Sequence, residues 1–187
     1  MMIALNPFWK VKIEGLRNID HKKTYVIIAN HQSLADIVIA YQTKMQFKWV
    51  AKASLFSIPV LGWSMSLGKH IRLERGSFSS VKKIYKEAAD WLRNGMSVLF
   101  FPEGTRSETG ELKDFQNGAF KLAIREGVWV LPIAIRGTGN AVSKGSWLFT
   151  SKVQVGLKVL PAIDASKFNL ADFTALRDQT REAIEKA

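Results

Sequence analysis

Short apolar runs alternate along the chain with stretches of helical periodicity, and this alternation constrains the fold more than any other feature. Strands are predicted at residues 10–14, 25–29, 47–51, 97–101, 129–135 and 153–159, and helices at 34–42, 78–93, 118–125 and from 169 onward. Such alternation predicts an α/β fold with a mostly parallel central sheet covered by helices on both faces. The 187 residues contain no repeat or linker, so we expect a single domain over 1–187.

Positive charge is concentrated in less than a quarter of the sequence. The chain has a net charge of +11, which indicates an acidic partner such as nucleic acid, anionic lipid or a phosphorylated metabolite. Residues Lys44–Lys86 hold nine basic side chains and one acidic one. The same stretch contains an uncharged run, Ala53–Gly68, in which part of the apolar side chains belong to the core. Basic residues beside exposed apolar ones predict an anionic membrane surface as partner.

The uncharged run is too short to span a bilayer. A spanning helix needs about 20 apolar residues. Ala53–Gly68 has 16 residues and includes Pro59 and Gly62. We therefore interpret it as buried or interfacial.

Several classes of chemistry are excluded or disfavoured by composition. The chain has no cysteine, which excludes disulfides, thiol nucleophiles and thiolate metal sites. The three histidines lack metal-ligand spacing, and neither a P-loop, a G-x-G-x-x-G sequence nor a complete nucleophile elbow occurs. We predict no metal and no cofactor. No nucleic-acid-binding motif is present either, so no nucleic-acid partner is expected.

A histidine and an aspartate follow the strand predicted at 25–29. His31 and Asp36 are five residues apart, about 140° around an ideal helix. With His31 in the turn and Asp36 in the first helical turn, the carboxylate reaches the imidazole, and such a pair forms a general base. The alternative is structural, because Ser33-x-x-Asp36 also matches a capping box.

A second polar segment, Phe101 to Ser107, follows the strand predicted at 97–101. Proline ends the strand, Gly104 permits a tight turn, and Glu103 and Arg106 are held at the sheet edge. A guanidinium there suits a phosphate. A polar turn with a surface ion pair is the alternative. A third segment, 69–76, is basic and strand-like. Its simpler interpretation is a solvated edge of a strand.

Together these segments resemble the glycerolipid acyltransferase family, the 1-acylglycerol-3-phosphate acyltransferases, from about Trp9 to the C-terminus. The similar blocks are Asn30-His31-Gln32-Ser33-x-x-Asp36, Leu73-Glu74-Arg75, Phe101-Pro102-Glu103-Gly104-Thr105-Arg106-Ser107 and Val130-Leu131-Pro132-Ile133-Ala134-Ile135. Glu74 stands where the family usually has aspartate.

The resemblance implies roles for individual residues. His31 would deprotonate the acceptor hydroxyl, with Asp36 orienting it and backbone N–H groups near this helix stabilising the oxyanion. The remaining site residues would bind the phosphate and glycerol of the acceptor. Those residues are Lys52, Arg75 and Arg106 for the phosphate, with Glu103, Gly104 and Thr105 around the glycerol.

The implied reaction moves an acyl group from acyl-CoA or acyl carrier protein to the sn-2 hydroxyl of a lysophospholipid acceptor, 1-acylglycerol-3-phosphate, giving phosphatidic acid. Alternatives are another lysolipid or an ornithine lipid as acceptor, a thioesterase, and a non-catalytic basic domain that binds lipid or nucleic acid. Only 30 residues precede His31, so we expect an N-terminal anchor helix to be short or absent. The expected location is peripheral or monotopic, on the cytoplasmic face of a membrane.

Overall fold

The computed structural model describes residues 9–74, 78–107, 110–139, 141 and 153–187. The strands are β1 Trp9–Glu14, β2 Tyr25–Ala29, β3 Phe47–Lys52, β4 Ile71–Leu73, β5 Ser97–Phe100, β6 Trp129–Arg136, β7 Val153–Val159 and β8 Ile163–Asp164. The helices are α1 Ala35–Ala40, α2 Leu61–Leu67, α3 Phe78–Arg93, α4 Gly118–Glu126 and α5 Phe173–Glu185. Short 3-10 turns lie at Leu16–Asn18, Tyr41–Thr43, Ala53–Ser57, Ala165–Lys167 and Leu170–Asp172.

All eight strands form one sheet in the order β1-β7-β6-β2-β5-β3-β4, with β8 paired to β6. The central strand β2 runs parallel to β5 and β6, and β3 runs parallel to β4 and β5. In the described ranges, β7 and β8 pair with β6 in the antiparallel direction, and β1 runs parallel to β7. The predicted mostly parallel sheet is confirmed. Its consequence is that the segments following β2, β3, β5 and β6 meet at one edge, where sites in open α/β folds form.

Helices cover both faces of the sheet, as predicted. Alternate residues of β2 point to opposite faces of the sheet. All five are buried because helices cover both faces. On one face, Ile27 packs in a core that includes Ile39 of α1 and Met65 of α2. On the other face, the core contains side chains from α3, α4 and α5. The two faces therefore have separate apolar cores and separate outer surfaces.

Helix α2 and strand β8 were not predicted from the sequence. The uncharged run folds into the 3-10 turn Ala53–Ser57 and helix α2. In α2 only Gly62 and Met65 are buried, while Trp63 and Leu67 are exposed. Apolar residues thus lie on both sides of the helix and give no clear helical period. Strand β8 has only two residues, too few for any pattern.

Candidate active site

His31 and Asp36 form a hydrogen-bonded pair at the carboxyl end of β2. His31 Nδ1 lies 2.7 Å from Asp36 Oδ2. The Asp36 side chain is fully buried, whereas the His31 side chain keeps 17% of its surface exposed. The ring is therefore held from the protein side through Nδ1, which leaves Nε2 as the nitrogen for a substrate proton. This is the orientation that a general base requires.

Asp36 is also tied to the backbone around it. Its Oδ2 accepts the N–H groups of Gln32 at 2.7 Å and Ser33 at 2.8 Å. The second of these bonds is half of the predicted capping box, although α1 begins at Ala35 and Leu34 occupies the N-cap position. The two interpretations of Asp36 are thus compatible. One carboxylate orients the imidazole and fixes the turn that carries it.

A threonine outside the predicted blocks completes the surroundings of Asp36. Thr138 Oγ1 donates a short hydrogen bond to Asp36 Oδ1, and the Thr138 side chain is fully buried. It follows β6, the parallel neighbour of β2. Sequence reasoning missed it because the contact depends on sheet order. The only signal in the sequence is its place directly after a predicted buried strand.

Asn30 links the same two strands through its side chain. Its Nδ2 donates to the carbonyl oxygen of Ile135, and its Oδ1 accepts the N–H of Ile135, each at 2.8 Å. The residue before His31 is therefore fixed to β6 by two hydrogen bonds. This contact too requires knowledge of which strands are neighbours.

The segment after β5 holds the backbone of His31. Glu103 Oε1 accepts the His31 N–H at 2.7 Å, and Ser107 N–H donates to the His31 carbonyl at 2.8 Å. The imidazole stacks on Phe101, with ring centroids 4.1 Å apart. The segment from Phe101 to Ser107 thus positions both the backbone and the imidazole ring of His31.

Glu103 is a buried carboxyl group whose oxygens both accept backbone N–H groups. Oε2 accepts the N–H of Lys113 at 3.1 Å, in addition to the bond from His31. Burial raises the pKa of Glu103, and the two hydrogen bonds oppose that rise. Its direct structural role is to join His31 to the chain at Lys113. The implied contact with glycerol stays a prediction.

A cavity of about 230 Å³ opens beside His31. Lys52, at the end of β3, and Arg106 both line it, so the structure brings two of the predicted phosphate ligands together with the dyad. The other walls are largely apolar. They include Leu34, Ile37, Leu55, Val81, Ile84 and Phe100. The cavity can hold an anionic group at its cationic side and an apolar chain against its walls.

The remaining predicted residues differ in position. Gly104 lines the cavity with φ +70°, and a Cβ there would lie 2.6 Å from Gln116 Nε2, so glycine suits this turn. Thr105 is exposed, and its hydroxyl accepts from Lys113 Nζ at 3.2 Å. Arg75 lies outside the described residues.

Backbone N–H groups near α1, which the resemblance implies for stabilising the oxyanion, already have hydrogen-bond acceptors in this structure. The N–H groups of His31, Gln32 and Ser33 all donate to the carboxylates of Glu103 or Asp36. These three donors are therefore not available to a substrate oxygen. In the part of the chain that the structure describes, no group of three or more histidine or acidic side chains is arranged to hold a metal ion.

The fold and this pair define the class: an α/β protein with a hydrogen-bonded histidine–aspartate pair at the carboxyl edge of a mostly parallel sheet, beside a cavity that two cationic side chains line. Residues 10–136 match the family model described as Acyltransferase, and the chain belongs to that family. The resemblance inferred from the four sequence blocks is confirmed.

Curated relatives and a solved structure agree with this assignment. A chloroplast 1-acyl-sn-glycerol-3-phosphate acyltransferase of Arabidopsis thaliana is 41% identical over 77% of this chain and 41% of its own length. The 1-acyl-sn-glycerol-3-phosphate acyltransferase of Borreliella burgdorferi is 30% identical over 95% of this chain and 71% of its own. The crystal structure of the 1-acyl-sn-glycerophosphate acyltransferase PlsC from Thermotoga maritima superimposes with a TM-score of 0.83 at 32% identity, covering 96% of this chain and 70% of that one.

The chain spans about half the length of relatives from Arabidopsis thaliana, Brassica napus and Chlamydomonas reinhardtii, 41% to 53% of each. Among the described residues, no helix combines the length and apolar character needed to cross a bilayer.

Proposed function

We propose that this protein transfers a fatty acyl group from an acyl thioester to the sn-2 hydroxyl of 1-acylglycerol-3-phosphate, forming phosphatidic acid. The observation that carries the proposal is the His31–Asp36 pair, 2.7 Å apart, whose His31 lines a cavity together with Lys52 and Arg106. Relatives named 1-acyl-sn-glycerol-3-phosphate acyltransferase support this acceptor.

The dyad would act as a general base in one direct displacement. His31 Nε2 takes the hydroxyl proton as the acceptor oxygen attacks the thioester carbonyl carbon. The new C–O ester bond forms, the C–S bond breaks, and the proton passes from His31 to the departing thiolate. Asp36 holds the ring by Nδ1 and stabilises the imidazolium. No acyl-enzyme forms, since a positioned base activates the acceptor itself.

The acceptor phosphate would bind between Lys52 and Arg106. A guanidinium can bind a phosphate through two parallel hydrogen bonds, and an ammonium adds a compact charge. Arg75 remains a predicted third ligand from the resemblance. With the phosphate fixed there, the glycerol would extend past Gly104 toward His31, and the acyl chain of the thioester would lie against the apolar walls.

The lysolipid would reach the cavity from a membrane surface. Val60, Trp63 and Leu67 expose 71%, 67% and 85% of their surface, respectively, and together they form what we call the α2 patch. Lys44 and Lys69 are exposed in the same part of the sequence. Aromatic and aliphatic side chains flanked by lysines fit the boundary of an anionic bilayer. We infer peripheral or monotopic association, and the cytoplasmic face stays a prediction of the resemblance.

The test is a transfer assay with purified protein, 1-acylglycerol-3-phosphate in anionic vesicles and an acyl thioester, with products identified by mass spectrometry. We expect phosphatidic acid, and we expect His31→Ala to lower the rate by at least about 10³-fold because general-base catalysis is lost. The melting temperature of His31→Ala should match that of the unmodified chain.

Three results would contradict the proposal. Retained activity in His31→Ala would remove His31 as the base. Thioester loss with release of free fatty acid, without any acylated lipid, would indicate a thioesterase. Product formed only with a different lysolipid or an ornithine lipid would reject 1-acylglycerol-3-phosphate as the acceptor.

A further inference from the structure

A basic groove runs between α3 and α4, on the sheet face opposite the α2 patch. Its volume is about 960 Å³. Six of the described residues that line it are cationic and none is acidic: Lys82, Lys83, Lys86, Arg93, Lys121 and Arg125. The floor is apolar and includes Tyr85, Ala89 and Leu122. The groove therefore combines a positive rim with an apolar base.

Part of this positive charge is not neutralised by the surrounding protein. Arg93 and Arg125 share Glu126, at 2.8 Å and 3.0 Å. Lys82, Lys83 and Lys86 are exposed, and none of the ion pairs found in the described ranges involves them. These three lysines lie within five positions of one helix. They present a compact positive surface to a partner.

The groove adjoins the catalytic cavity. Val81 and Tyr85 line both. Tyr85 stacks on Phe100 and packs so closely on Gly118 that a Cβ there would lie 1.9 Å from the Tyr85 hydroxyl. These side chains would lie between the cavity and a partner seated between α3 and α4. A thioester on a flexible arm could thus reach His31 while its carrier stays in the groove.

We propose that the α3–α4 groove docks a small acidic carrier protein that presents the acyl group as a thioester on a flexible arm. This inference rests on the proposed function, for which it supplies the donor. The six cations belong to two helices, α3 and α4, and such a distributed positive surface matches a protein partner better than a single phosphate. The groove is concave, so a helix fills it whereas a bilayer does not.

The position of the groove is also consistent with the two substrates approaching the active site from different sides of the sheet. The α2 patch belongs to the face whose core contains Met65, and α3 and α4 pack on the other face. A lipid surface against α2 leaves α3 and α4 in water. The acceptor then enters from the membrane and the donor from the aqueous side.

The first experiment measures docking without catalysis. The full chain is titrated calorimetrically with an acyl carrier protein that bears no acyl group, at two salt concentrations. We expect binding that weakens as salt rises, since exposed charges are screened. The triple variant Lys82→Glu, Lys83→Glu, Lys86→Glu should raise Kd by at least about tenfold. A matched variant with the same charge change at exposed sites elsewhere, Lys10→Glu, Lys22→Glu, Lys167→Glu, should stay within about twofold.

Absence of binding by the unmodified chain would overturn the proposal. So would equal weakening in both triple variants, because that would mean only net charge matters. Loss of vesicle binding in the groove variant, with carrier binding intact, would assign the groove to the membrane instead. Melting temperatures of both variants, whose substituted side chains are exposed, control for folding.

The second experiment compares two donors under the same acceptor conditions. We expect the groove variant to raise KM for acylated carrier protein by about tenfold with kcat preserved, and to leave KM for acyl-CoA within about twofold. An equal rise for both donors would show that the lysines act on a feature common to both thioesters rather than on the carrier protein, and would overturn the proposal. If the unmodified chain transfers from neither donor, the proposed function fails, while calorimetry still decides docking.

Discussion

Asp36 shows how one buried side chain can fix both a turn and a reactive group. A buried carboxylate without partners is unfavourable by several kcal/mol. Here three donors surround it besides the imidazole: two backbone N–H groups and the Thr138 hydroxyl. The imidazole therefore rests on a carboxylate that has little freedom to move.

Thr138 provides a direct test of this positioning. Thr138→Val keeps the shape but removes the hydrogen bond to Asp36, and a bond to a charged group contributes about 1.5–3 kcal/mol. We expect kcat to fall about tenfold or more with KM for the acceptor unchanged, since the hydroxyl contacts Asp36 rather than the substrate. Steady-state kinetics measures both constants.

The matched control is Thr138→Ser, which keeps the hydroxyl and should restore kcat to within about threefold. If serine and valine lower kcat equally, the methyl group matters and the hydrogen bond to Asp36 does not.

His70 carries a pH dependence that is separate from catalysis. Burial, with the nearby Lys48 charge, lowers the pKa of His70 from 6.5 to about 4. The unfolded chain therefore binds this proton near pH 6.5, whereas the folded chain does not until about pH 4. The free energy of unfolding should thus fall as pH decreases from 7 to 5, with about 1–2 kcal/mol attributable to His70.

His70→Leu removes the titrating group, so its free energy of unfolding should decrease less over the same interval. Urea denaturation at pH 7 and pH 5 gives the comparison. Identical pH dependence in the two proteins would mean that folding does not shift the His70 pKa.

The dyad was predictable from local sequence, but its supporting residues were not. Placing His31 in a turn and Asp36 in the first helical turn required only residues 25–36. Thr138 and Asn30 act across strands more than 100 residues apart in sequence, and their contacts exist only because β6 lies beside β2. Local pattern contains no information on strand order.

At the scale of elements, α2 is unusual in turning its larger apolar side chains outward. Gly62 lets the helix approach the preceding 3-10 turn, since a Cβ there would lie 2.0 Å from the Phe56 carbonyl oxygen. The sequence predicted an interfacial or buried run but not the helix, because a helical period appears only when one side is polar. Most strands were predicted more closely because their sequences are either continuous apolar runs or regular alternations, as in β7.

The α2 patch predicts a measurable affinity for lipid. Trp63→Ser with Leu67→Ser should lower partitioning onto anionic vesicles by at least about tenfold, since burying one large apolar side chain contributes roughly 1.5–3 kcal/mol. Sedimentation with vesicles measures the bound fraction. Stability should change little because both side chains are exposed.

Leu16→Ser is the control for this experiment, because Leu16 is an exposed apolar residue in the turn after β1, far from α2 in the sequence. Equal loss of binding in Leu16→Ser, or none in the double variant, would place the lipid contact elsewhere.

For the whole molecule, the arrangement separates apolar and basic surfaces on either side of one sheet. The net charge of +11 is therefore not distributed evenly over the surface. Lysines near α2 can attract anionic lipid, while those on α3 remain directed toward water. Composition alone predicted an acidic partner. Because α2 and α3 lie on opposite faces of the sheet, the two proposed acidic partners, an anionic membrane and a carrier protein, can bind at the same time.

The double hydrogen bond between Asn30 and Ile135 has a consequence for hydrogen exchange. It joins the two central strands immediately beside His31, and Ile135 is fully buried, so we expect its amide proton to exchange slowly with solvent. Separation of those strands dismantles the sheet itself. The turn that carries His31 is thus anchored directly to the centre of the sheet through Asn30.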